Sequence, residues 1–245
     1  MTSGAARISS RDNALLQRVR KLNAAPDAYR KLGQVWLEGD HLVRAAVARG
    51  WTLPELLVAA AHERDAALSP LLAAATRVRV VDDALWRDIG SLSSKAPLAA
   101  LAEWPGEQPL RAGLRTVVLD RVQDAGNLGS ILRSAAAFGV QQVVALKGCA
   151  ALWSPKVLRA AMGAHFALHL VESADEGQLD GIGVPLLATS SHHRASLLDA
   201  ELPDPCAWVF GHEGQGIAPS LLQRCQLHTG IPQPGGEESD RKSVV

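Results

Sequence analysis

Four short apolar runs, at 116–119, 143–146, 185–189 and 207–210, recur between helical stretches and limit what this chain can fold into more than any other feature. Strands that read as nearly continuous apolar runs between helices belong to parallel sheets with both faces covered. In such sheets ligands bind in the loops that follow the carboxyl ends of strands. The loops after Leu119, Thr189 and Phe210 are therefore where chemistry is sought.

The first hundred residues read differently. Helical pieces at 12–22, 40–49, 69–75 and 82–89 alternate with extended pieces at 34–38, 56–60, 77–81 and 97–102, which predicts a small α/β domain over 1–103. The run WPGEQPLRAG at 104–113 has two prolines and two glycines in ten residues and reads as a linker to a second α/β domain over 114–245. A composition of 47% hydrophobic and 20% charged residues excludes a mostly disordered chain. No apolar run approaches the roughly 18–20 residues needed to span a bilayer, and residues 1–10 lack the apolar core of a secretion signal, so a cytoplasmic protein is expected.

The three cysteines, Cys149, Cys206 and Cys225, form no C-x-x-C pair. His165 and His169 have the spacing of a zinc helix without its adjacent Glu, so no metal site is expected. Ser190–His193 lacks the turn that would present a nucleophile. Net charge is zero, but residues 1–31 hold Arg7, Arg11, Arg18, Arg20, Lys21, Arg30 and Lys31 against Asp12 and Asp27, a local excess of five. Such an excess attracts a phosphate backbone through counterion release, although a solvated helix face would show the same charges.

After the 116–119 strand, the stretch DAGNLGSILR (124–133) reads as a strand-to-helix turn. Asn127 is the expected N-cap, with the helix beginning near Leu128, burying Ile131, Leu132, Ala135 and Phe138, and closing at Gly139. Arg133 is four residues past Gly129, so its guanidinium is expected over the surface that glycine leaves bare. After the 207–210 run, GHEGQG (211–216) sets three glycines and one carboxylate in a turn whose exposed backbone groups could hold an adenosine. Neither stretch has the G-x-G-x-x-G order of a dinucleotide fold.

Together with IPQPGGEES (231–239), these two stretches resemble motifs one, two and three of the SpoU-type methyltransferases of the SPOUT superfamily, in order and spacing. The similarity continues through SPKVLRAAMGA (154–164) and reaches the N-terminal region from Arg30 to Gly39, which resembles the small substrate-binding domain these enzymes often carry. The resemblance implies a C-terminal α/β domain with a trefoil knot, a homodimer, and transfer of a methyl group from S-adenosylmethionine to a ribose 2′-hydroxyl of rRNA or tRNA. It places Asn127, Arg133 and Glu213 at the catalytic centre and Thr189, Gly211, Gly216, Ile231 and Ser239 around the methyl donor. Arg18, Arg20, Lys21, Arg30, Lys31 and Arg159 are the expected RNA contacts. A guanidinium stays protonated, so Arg133 is expected to orient a phosphate rather than act as a base.

The resemblance breaks after Ser239. Where the family continues into an apolar helix, this chain reads DRKSVV (240–245). That departure leads us to expect an incomplete knot, an exposed apolar patch and weakened donor binding, with a catalytically impaired RNA-binding relative as the alternative.

Overall fold

A computed structural model describes residues 6–90, 96–189, 197 and 200–230. In chain order the strands and helices are β1 (Ala6–Ile8), α1 (Ala14–Ala24), α2 (Ala28–Leu32), β2 (Gln34–Glu38), α3 (Asp40–Ala48), β3 (Glu55–Ala59), α4 (Ser69–Ala74), β4 (Val78–Val81), α5 (Asp83–Ile89) and β5 (Leu98–Glu103). They continue with β6 (Thr116–Leu119), α6 (Ala125–Ala137), β7 (Gln142–Leu146), α7 (Pro155–Ala161), β8 (His169–Ala174), β9 (Leu186–Thr189), β10 (Ala207–Phe210), α8 (Pro219–Gln223) and β11 (Leu227–Thr229).

The chain divides into two units. One comprises Met1–Gly106 with Trp153–Phe166, the other Glu107–Leu152 with Ala167–Val245. The division after Gly106 falls inside the polar run at 104–113. Residues Trp153–Phe166, read from the sequence as part of the second region, group with the first, where the Trp51 ring lies 5.6 Å from that of Trp153 and 4.9 Å from that of Phe166.

In the first unit five strands form a mixed sheet in the order β1-β4-β3-β5-β2, with β5 antiparallel to both its neighbours. Asn13 starts α1 by accepting a hydrogen bond from the Leu15 N–H at 2.9 Å, and Leu16, Val19 and Leu22 then fall on one buried stripe. Arg159 on α7 pairs with Glu38 of β2 at 3.4 Å, the carboxylate side chain being only 3% exposed.

The second unit carries a six-stranded sheet in the order β11-β9-β10-β6-β7-β8, and every recorded pairing is parallel. The runs at 116–119 and 207–210 become the central strands β6 and β10, in register from Thr116 opposite Ala207 to Leu119 opposite Phe210. Val118, Val144, Val171, Leu186 and Val209 supply the buried core on one face. Among the described residues the other face is less fully covered than the sequence suggested. Trp208 and Phe210 are half-buried and line a cavity of about 760 Å³, with Ile131, Ala135 and Phe138 of the adjoining helical segment. Three strands were not anticipated: β1 of the first unit, the three-residue β11, and β8, whose run is interrupted by Ser173 at φ 55°. The knot and final helix raised by the motif-three resemblance depend on residues 231–245, outside the described residues.

Gln142 pins the entry to this sheet. Its side chain is fully buried, accepts from the Arg111 N–H at 2.8 Å, and donates to the Arg111 carbonyl and the Thr116 hydroxyl, both at 3.1 Å. Gln142→Leu keeps the volume but strips those groups of their partner. It is expected to lower unfolding free energy by about 1–3 kcal/mol in urea titrations; wild-type stability would show the bonds to be replaceable by water.

Candidate active site

Because β6 and β10 run side by side in the same direction, the loops that follow them leave from the same edge of the sheet. The β6 loop leads into α6, and here the structure corrects the expected start. Asp124, not Asn127, is the N-cap: its carboxylate accepts the Asn127 N–H at 2.7 Å and the helix begins at Ala125. Asn127 therefore sits in the first turn with its amide free to reach across. It donates through Nδ2 to Glu213 Oε1 at 3.1 Å, joining residues 86 apart in sequence.

The β10 loop owes its shape to close backbone approach. A Cβ built on Gly211 would collide with the carbonyl carbon of Gly216 and the nitrogen of Ile217, so only glycine fits. Gly216 takes φ +68°, and the ends of the turn are tied by His212 N–H to Gly216 O at 3.0 Å and Gly216 N–H to His212 O at 2.8 Å. The His212 ring closes the interior by accepting from Gly214 N–H at 3.0 Å and Gln215 N–H at 3.2 Å.

Glu213 is held below the ordinary carboxylate pKa. Burial pushes it up, but hydrogen bonds involving its own backbone, the Asn127 side chain and the Asp124 backbone, together with the nearby His212, outweigh that penalty. It is a stable anion, suited to orienting donors and poorly suited to taking a proton. Asp120, at the end of β6, is a second carboxylate, only 4% exposed, which accepts from both Arg121 and the Ala218 N–H. Desolvation raises the Cys149 thiol to about 11, which leaves it neutral and without nucleophilic character.

The structure thus brings Asn127, Glu213, Gly211 and Gly216 together, and Thr189 closes the parallel strand next to β10. Arg133 is not joined to them. It lies six residues beyond Asn127 on α6, roughly 120° around the helix, exposed and without a hydrogen bond or ion pair among the described residues. Gly129 is buried rather than bare beneath Arg133, and Phe138, expected in the core, is 83% exposed. Ile231, Ser239 and Ser190–His193 lie outside the described residues. Asp120, Arg121, His212 and Gln215 were given no role from sequence; a charged pair directly after an apolar strand was the available signal.

The basic residues of the first unit are partly occupied. Arg7 pairs with Asp82 at 2.7 Å and Arg11 with Asp88 at 3.1 Å. Arg18 donates to Gln34 at 3.0 Å and Arg20 to the Arg11 carbonyl at 2.7 Å, while Arg30 packs 5.5 Å from the centre of the Tyr29 ring. Lys21 and Lys31 are exposed and unpaired among the described residues. Arg159 is engaged with Glu38.

Comparison with known proteins matches residues 115–239 to the SpoU rRNA methylase family. An uncharacterized tRNA/rRNA methyltransferase of Synechocystis is 31% identical over 98% of this chain and 90% of its own length. The 23S rRNA (guanosine(2553)-2′-O)-methyltransferase of Bacillus subtilis is 26% identical over 97% and 95%. The crystal structure of the SpoU methyltransferase AviRb from Streptomyces viridochromogenes, in complex with the cofactor AdoMet, superposes with a TM-score of 0.81 at 25% identity, covering 93% of this chain and 91% of the other.

Two outcomes follow from the loop geometry. Gly211→Ala forces backbone apart and is expected to cost about 1–3 kcal/mol of unfolding free energy in urea, whereas an unchanged midpoint would mean that the turn relaxes freely. A carboxylate with a lowered folded-state pKa contributes stability above its unfolded pKa and loses it as pH falls through the folded value. The stability difference between wild type and Glu213→Gln is therefore expected to be largest near neutrality and to vanish in acid. Denaturation across that range checks the sign.

Proposed function

Because this chain belongs to the SpoU rRNA methylase family, we propose that it transfers a methyl group from S-adenosylmethionine to a ribose 2′-hydroxyl of rRNA or tRNA. The observation that carries the reading is the Asn127–Glu213 hydrogen bond, which unites motif one and motif two in one site at the carboxyl ends of β6 and β10.

The residues present suit the methyl donor. The turn at 211–216 is closed on itself by the tight backbone approach at Gly211, and Gly214 and Gln215 at its tip are exposed. At the end of β11, in register with Thr189, the Thr229 hydroxyl is fully buried without a partner among the described residues. Thr189 and the backbone from Gly211 to Gly216 would hold the donor, with Ile231 and Ser239 as further candidates. The donor would supply an electrophilic methyl on sulfur, and the 2′-hydroxyl that takes it would release its proton to water. The chain's own part is placement, since a reacting pair held in line gains most of its rate from orientation. Glu213, fixed as an anion by Asn127, orients the nucleotide. Arg133, exposed and unpaired among the described residues, would meet a phosphate of a docked RNA rather than remove a proton.

The first unit is the RNA-binding module in this reading, with Lys21 and Lys31 ahead of Arg18, Arg20 and Arg30 as contacts and Arg159 assigned to structure. The exposed Phe138 and the apolar cavity beside it support self-association into a homodimer through that face. No described helix is long and apolar enough to cross a membrane, and we assign the chain to the cytoplasm.

Labelled methyl transfer to large-subunit ribosomal RNA, followed by mapping of alkali-resistant linkages, tests the activity; transfer to a base, or to no rRNA or tRNA, would overturn it. Arg133→Lys keeps the charge but loses the fork, and is expected to cut methyl transfer on the order of tenfold or more. Undiminished transfer would remove Arg133 from the site.

A further inference from the structure

Resting on the reading above, the geometry points to Asp120 and Arg121 as a positioning pair that sets the shape of the 211–218 loop without touching the reacting atoms. The two residues reach three points of that loop. Arg121 Nη1 donates to Gln215 Oε1 at 2.9 Å and Nη2 to the Gly216 carbonyl at 3.3 Å, while Asp120 Oδ2 accepts the Ala218 N–H at 2.7 Å. They also lock one another, since Nε and Nη2 of Arg121 donate to the two oxygens of Asp120 at 2.9 and 3.0 Å.

Such double duty needs a planar fork, and two further features keep the fork in place. Arg121 adopts φ 57°, a left-handed conformation that non-glycine residues rarely take and that persists where the surroundings over-determine it. The side-chain stem passes over Gly148, where an added Cβ would come within 3.1 Å of Arg121 Cγ. The carboxylate is the buried half of the strap, its side chain 6% exposed against 32% for Arg121. A buried carboxylate demands full satisfaction, and the groups satisfying it are Arg121 and the far end of the loop. The strap therefore fixes residues 215–218 of the turn, as Asn127 fixes Glu213 from α6.

Arg121→Lys tests this, because an ammonium still neutralises Asp120 but cannot span Asp120, Gln215 and Gly216 together. Amide hydrogen exchange on the ligand-free chain is expected to quicken on the order of tenfold or more across 211–218 and to stay unchanged in β7. Calorimetric affinity for S-adenosylmethionine is expected to fall on the order of tenfold, with RNA affinity unaltered. Gln215→Ala removes an exposed contact and leaves the ion pair intact. It should move both readouts the same way by less, and it carries the test if the lysine variant misfolds. Wild-type exchange across 211–218 in both variants, or an unchanged donor affinity beside faster exchange, overturns the proposal. The exchange measurement needs no ligand, so a wild-type chain that bound no donor would count against the methyltransferase reading alone.

Discussion

The parallel register between β6 and β10 is the constraint from which the rest of the site derives. Leu119 lies opposite Phe210, and the Asp120 N–H donates to the Phe210 carbonyl at 2.8 Å, so pairing continues to the first residue of the loop. With the strands reversed, the same two loops would sit at opposite ends of the sheet. As built, a strand-to-helix turn and a glycine-rich turn emerge side by side, and each becomes the wall against which the other is shaped.

Polar satisfaction does the shaping. Asp120 and Glu213 at this edge each draw a donor from the neighbouring strand's loop, Asp120 from Ala218 and Glu213 from Asn127. Charges withdrawn from water require such partners. Because the partners lie on separate chain segments, satisfying the charges also fixes the segments relative to one another. These bonds are made within the chain itself, as preorganised sites require.

Much of this was legible from sequence where burial alone decides. The strands at 34–38, 116–119 and 207–210 coincide with the pieces read as extended, since a largely buried strand announces itself in composition. Competition between equivalent groups was not legible. Asp124 and Asn127 both suit an N-cap, and the helix took the earlier because its carboxylate reaches the Asn127 N–H. Phe138 fell on the expected apolar stripe yet comes after the last helical residue, where it lines the cavity and stays 83% exposed. Partners far off in sequence were invisible as well. Asp82 and Asp88 answer two arginines of the opening segment, and Trp51 draws Trp153 and Phe166 into the first unit. The glycine turn was read as a ligand cradle, but its ties through His212, Arg121 and Gln215 are geometric and appear only in three dimensions.

The strand order β11-β9-β10-β6-β7-β8 also governs how the protein is made. During translation β6 and β7 leave the ribosome early, but one edge of β6 has no neighbour until residue 207 is synthesised. The first unit does not close early either, because Trp153–Phe166 completes it. Non-local closure of this kind slows folding and leaves an unpaired apolar strand open to wrong partners meanwhile. The nascent chain is thus most vulnerable to misassociation between the emergence of β7 and that of β10, the interval in which chaperone protection would count most.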